Sequence, residues 1–153
     1  MIPPPWIPSV IDIARQILGI AGTQTASFNS TAYDMGGVTE QPPFPLNAPV
    51  GGWVAMVVIP ITSYKTTAGN EEYQISVQDS PDNGASAPTG AWRNWSRTAI
   101  LGANDTESPA VPGFIAIPIQ LVNEWLRIAV TISGTAPQIV FGTPYVMTRI
   151  NNP

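Results

Sequence analysis

The chain has 153 residues, with 6 Lys and Arg, 10 Asp and Glu, and a formal net charge of −4. Charged residues therefore make up 10%, against about 25% in an ordinary soluble domain. The 17 prolines, spread along the whole length, exclude a long helical bundle, and a hydrophobic content of 44% excludes a charge-rich disordered chain. The acidic balance argues against a nucleic-acid partner. With no histidine and no cysteine, Ser-His-Asp and Cys-His catalysis and the usual zinc, haem and thiol chemistries are removed. No metal and no cofactor are expected.

Pro3, Pro4, Pro5, Trp6, Ile7 and Pro8 read as a polyproline II arm, extended and without internal hydrogen bonds. It lacks the positive n-region of a signal peptide. Ser9 suits the cap of a short helix that Gly19 or Gly22 would end. The β-branched Val10, Ile11 and Ile13 suit an extended segment equally. Residues 1–22 are accordingly set apart as an arm with a possible short helix, and 23–153 as the folded domain.

Short strands follow over 23–28 and 31–35, then a long proline-rich connection over 36–52. Residues 53–62 are apolar on both faces, the mark of a strand covered twice. Trp53, Ala55 and Val57 form one row of it, continued by Ile59 and Ile61. Residues 41–64 carry no charge, but their prolines leave too short an apolar run for a membrane helix, and no membrane partner is expected. Residues 73–79 alternate, with Tyr73, Ile75 and Val77 on one side, and Asp82-Asn83-Gly84 signals a turn. Further strands are expected over 92–101, 114–121, 125–133, 138–142 and 145–150. About eight strands at turn-punctuated spacing indicate an all-β, jelly-roll-like antiparallel sandwich.

Carboxylates are the remaining acid–base candidates. Glu71, Glu72, Asp79, Asp82, Asp105 and Glu107 read as turn and loop residues rather than the paired carboxyls of a glycosidase, and no enzymatic activity is expected. Trp92 and Trp95 lie three apart, so in a strand they face opposite ways and one of them is expected in the core. Asn29, Asn94 and Asn104 open formal glycosylation sequons, frequent by chance in a chain rich in Asn, Ser and Thr.

Three stretches taken in order resemble the small jelly-roll cement, or decoration, proteins of tailed-phage capsids. They are Thr-Ala-Ser-Phe-Asn at 25–29 leading into Thr-Ala-Tyr-Asp-Met-Gly at 31–36; Tyr-Gln-Ile-Ser-Val-Gln-Asp-Ser at 73–80; and the Leu-Arg strand of 118–137, which ends in Ser-Gly-Thr-Ala-Pro. The arm at 1–8 and the connection at 36–52 depart from that family's pattern. The resemblance implies a structural virion protein, made in the bacterial cytoplasm and located on the capsid exterior. Its partner would be the major capsid protein, and a homo-oligomer, dimer or trimer, is expected. Pro3, Pro4, Pro5, Trp6, Ile7, Trp53, Ala55 and Val57 are the interface candidates. The alternative is a carbohydrate-binding β-sandwich module of a virion or secreted enzyme, which five tryptophans would serve by stacking on sugar rings.

Overall fold

A computed structural model describes residues 10–34, 54–94, 98–105, 109–120 and 123–151. The arm at 1–8 and the connection at 36–52 lie outside the described residues. The elements are β1 (Val10–Gln16), β2 (Gly22–Gln24), β3 (Phe28–Asn29), β4 (Tyr33–Asp34), β5 (Val54–Tyr64) and β6 (Glu72–Ser80). They continue with β7 (Arg93–Asn94), β8 (Ala99–Gly102), β9 (Gly113–Gln120), β10 (Trp125–Ser133), β11 (Ile139–Phe141) and β12 (Tyr145–Asn151). All pair antiparallel, in two six-stranded sheets.

In the first sheet β5 is central, with β9 on one side and β11 and β12 end to end on the other; β2 and β1 pair outside those. In the second, β6 and β10 are central, flanked by β7 with β8 and by β3 with β4. The end-to-end pairs are halves of interrupted strands. Joining them leaves eight strand paths, ordered 1-8-3-6 in one sheet and 2-7-4-5 in the other. That order is the double Greek key of a jelly roll.

Alternation explains the pairing. Val57, Ile59, Ile61, Ile115 and Ile117 from the first sheet meet Tyr73, Ile75, Val77, Leu126, Ile128 and Val130 from the second, all buried. Of the other row of β5, Val58 is also buried, whereas Met56 is 38% exposed. Between helix and extended chain after Ser9, the extended form prevails. All seven residues of β1 pair with β12, from Val10 opposite Asn151 to Gln16 opposite Tyr145, and the β-branched side chains favour this geometry. Ile17 and Ile20 are core residues, so the sandwich includes residues that the sequence reading assigned to the arm.

One end of the sandwich is closed by interlocked backbone. The Tyr73 hydroxyl lies 2.8 and 2.9 Å from the carbonyls of Lys65 and Gln138 and accepts from the Gln138 amide. Glu71, read from sequence as a turn residue, is fully buried. Its carboxylate accepts from the Ala68 amide at 2.9 Å, and its carbonyl accepts from the Ala103 amide at 2.8 Å. The Ala68 amide, with neighbouring loop amides, holds the Glu71 carboxyl below the usual range. Gly102, at φ +94°, packs so closely that a Cβ there would stand 2.1 Å from the Glu71 carbonyl oxygen. Gly84, at φ +82°, has open space around it. Gly84→Ala should therefore cost only the left-handed backbone penalty, about 1–2 kcal/mol. Gly102→Ala should cost clearly more than that in urea unfolding, because the obstructing atom is backbone. Equal effects would contradict the close packing of this end.

Candidate functional site

Register also determines which loops share the opposite end. Val10 lies opposite Asn151, and Val54 opposite both Gln120 and Arg149. Trp125 lies opposite both Asp34 and Ser80. The arm before Val10, the connection entering at Val54 and the turn between Gln120 and Trp125 thus attach to the sandwich at one end. The loop leaving Ser80 and the chain beyond Asn151 attach there too.

Among the described residues, two tryptophans lie at this end. Trp125 opens β10, and Trp92 precedes β7 with its amide bonded to the Gly90 carbonyl. Trp53 immediately precedes Val54, Trp95 immediately follows Asn94, and Trp6 lies in the arm. Pro3, Pro4, Pro5, Trp6, Ile7 and Trp53 lie outside the described residues, as does Trp95. Ala55 sits in β5 opposite Thr148 and Ile119. Val57 is fully buried in the core; its side chain packs inside its own sandwich, which takes it out of any surface. Trp92 is half-buried and outside the core.

A polar frame fixes this end. Asp79, expected at the end of the 73–79 strand beside a turn, lies inside β6 and is 1% exposed. It continues the inward row of Tyr73, Ile75 and Val77, so the alternation alone could have placed it. Its carboxylate accepts from Arg93 Nε at 2.8 Å, from Arg93 Nη2 at 3.3 Å and from the Asn123 amide at 3.1 Å. The carboxylate raises the Arg93 pKa further. The pair ties β7 and the turn before β10 to β6, and so supports the tryptophans on either side.

Asp82 holds the neighbouring loop. It accepts from the Gly84 amide at 2.6 Å and from Trp125 Nε1 at 3.0 Å, which keeps its carboxyl below the usual value. The expected turn is built by Asp82 and Asn83, each accepting from the amide two residues on. Ser80 and Thr89 hydroxyls, 3.2 Å apart, close the loop onto β6.

Two surfaces adjoin the frame. On the second sheet, the Arg127 guanidinium lies 4.2 Å from the Trp92 ring centroid, with Nε donating to Gln78 Oε1 at 2.8 Å. Gln78 Nε2 in turn donates to Asn94 Oδ1 at 2.8 Å. On the first sheet, Met56 and Pro118 are exposed opposite each other, and farther along Phe114 is 63% exposed opposite Pro60. At the closed end, Tyr64, Thr66, Glu71, Asp105 and Val111 line a cavity of about 490 Å³. There, burial and the nearby Asp105 charge push the Tyr64 hydroxyl pKa up.

No family model, no curated protein and no solved structure matches this chain.

The Asp82–Trp125 bond makes a testable contribution. A carboxyl held below its unfolded value stabilises the fold fully above that value, 3.8 for this group. The stabilisation is lost as pH falls through the lowered one. The wild type should therefore melt above Asp82→Asn at pH 6, with the difference closing as pH drops below 3.8. Trp125→Phe should shrink the difference at pH 6, because the two changes break one bond. A difference that persists at low pH would contradict the charge-based role.

Proposed function

We propose that the chain is a non-catalytic decoration protein. Its jelly roll would dock, by the end from which the arm leaves and where Trp92 and Trp125 lie, onto the outer surface of a phage capsid and clamp neighbouring capsid subunits. The observation that carries this reading is that the points where the proline-rich arm and the proline-rich connection join the sandwich, at Val10 and Val54, share one end with Trp92 and Trp125. Proline-rich extended segments lose little conformational entropy on docking, and tryptophans dominate the binding energy of many interfaces. The order of short motifs resembling the cement proteins supports a capsid as the partner.

Affinity in such a role comes from repetition. A single contact of roughly 1,600 Å² is ordinary for a specific complex, and linkage through an oligomer multiplies it by avidity. Exposed Met56, Pro118 and Phe114 offer apolar area on the first sheet for contact between neighbours.

The test is co-sedimentation with capsids that lack the protein. The full chain should pellet with them. A form lacking residues 1–8 should keep its β-rich circular dichroism, because strand pairing begins at Val10, and should pellet at least tenfold less at equal concentration, the loss expected of one removed anchor. Unchanged pelleting would exclude the arm as an attachment element. No pelleting of the full chain on any shell tested would exclude the capsid reading.

A further inference from the structure

The outer face of the second sheet carries chemistry that docking by one end does not use. Arg127 projects from β10 beside Gln78 of β6 and Asn94 of β7, three residues in one register row. The hydrogen bonds in that row run in one direction. Arg127 Nε donates to Gln78 Oε1, and Gln78 Nε2 donates to Asn94 Oδ1. Each acceptor oxygen thereby already takes one bond within the row. The groups left over at its two ends are donors, the Nη atoms of Arg127 and the Nδ2 of Asn94.

Among the described residues no carboxylate pairs with Arg127, whose contacts are Gln78 and the Trp92 ring at 4.2 Å. Asp79 and Asp82 are engaged by Arg93 and Trp125. Asp34 stands one row away, opposite Trp125. Burial lowers the Arg127 pKa, consistent with a half-buried cation that has no counter-charge among the described residues. Stacking on indole and the Nε bond orient the planar fork, so a ligand meets it already ordered.

We propose that Arg127, Asn94 and Trp92 form a binding site for an acidic oligosaccharide, whose carboxylate is received by the Arg127 Nη pair. One fork and one amide donor match a single planar negative charge. A phosphodiester chain would call for a run of cations, and this row supplies one. The strip beyond Arg127 decides between a sugar and a protein carboxylate. Asn29 and Thr131 are exposed there and Gln74 is half-buried, a surface of amide and hydroxyl groups that ends at the Glu72 carboxylate, to which Gln74 donates. Such groups match sugar hydroxyls, which both donate and accept, whereas the core of a protein interface is apolar and aromatic. This site is independent of the capsid reading.

Isothermal titration calorimetry of the full chain tests it. The probes are a galacturonate tetramer, a hyaluronan tetrasaccharide and sialyllactose, with the methyl ester of the galacturonate tetramer as neutral control and acetate as free carboxylate. At least one acidic saccharide should bind, and where it is the tetramer its ester should bind at least tenfold more weakly. Arg127→Lys, which keeps the charge and loses the fork, should weaken binding about tenfold. The exposed Asn94→Ala should weaken it severalfold with an unchanged melting curve. Absence of binding by all three saccharides would overturn the proposal, as would an ester as good as the acid or an unaffected Arg127→Lys variant. Acetate binding as tightly as the saccharides would reduce the site to a free-anion site and overturn the saccharide assignment. Capsid pelleting plays no part in this titration, so the two readings stand or fall separately.

Discussion

A slip of one residue in the pairing of β6 with β10 would turn one of the two strands over, carrying either Ile75 and Val77 or Ile128 and Val130 from the core into water. Burying either pair is favourable by roughly 1.5–3 kcal/mol for each side chain, so the register is strongly held. Everything functional in this molecule depends on it. Register sets Trp125 opposite Ser80 and Asp34, brings Arg93 beside Asp79, and lines up Arg127, Gln78 and Asn94 in one row. The loops that share an end of the sandwich follow from the same pairing.

The two ends then solve different problems. At the closed end, glycines at 102 and 134 let neighbouring backbone pack against Asn70 and Glu71. The Asn70 amide exchanges hydrogen bonds with Thr135. At the opposite end the contacts run through side chains instead, from Arg93 to Asp79 and from Trp125 to Asp82. Such a frame holds Trp92 and Trp125 in place beside the points where the chain enters the sandwich at Val10 and Val54. A rigid platform with proline-rich attachments is suited to gripping a large surface, since the ordering cost of binding is small on both parts.

Much of the fold was legible in the sequence because its strands alternate cleanly. The inward rows of β6 and β10, the apolar row of β5 and the turn at Asp82 follow from period and turn chemistry alone. The choice between helix and strand after Ser9 was not, because Val10, Ile11 and Ile13 fit both until the partner strand β12 is known. Val57 could not be told from an interface residue, since both rows of β5 are apolar and only the opposing sheet says which one is core. The sequence places Asp79 and Glu71 in or beside turns and does not show that both are buried. Their burial depends on partners far along the chain, Arg93 and Asn123 for one and Ala103 for the other. The placing of Trp92 and Trp125 at one end is likewise a property of topology, invisible until the Greek-key order is known.

The central claim is that the end bearing the arm is the end that docks. An electron cryomicroscopy reconstruction of capsids carrying the protein measures this directly, through the orientation of the sandwich on the shell. The account predicts that Val10, Val54, Trp125 and Asn151 face the capsid while the Glu71 end points into solvent. A reconstruction with the Glu71 end against the shell, or with the sandwich lying on its second sheet, would contradict it.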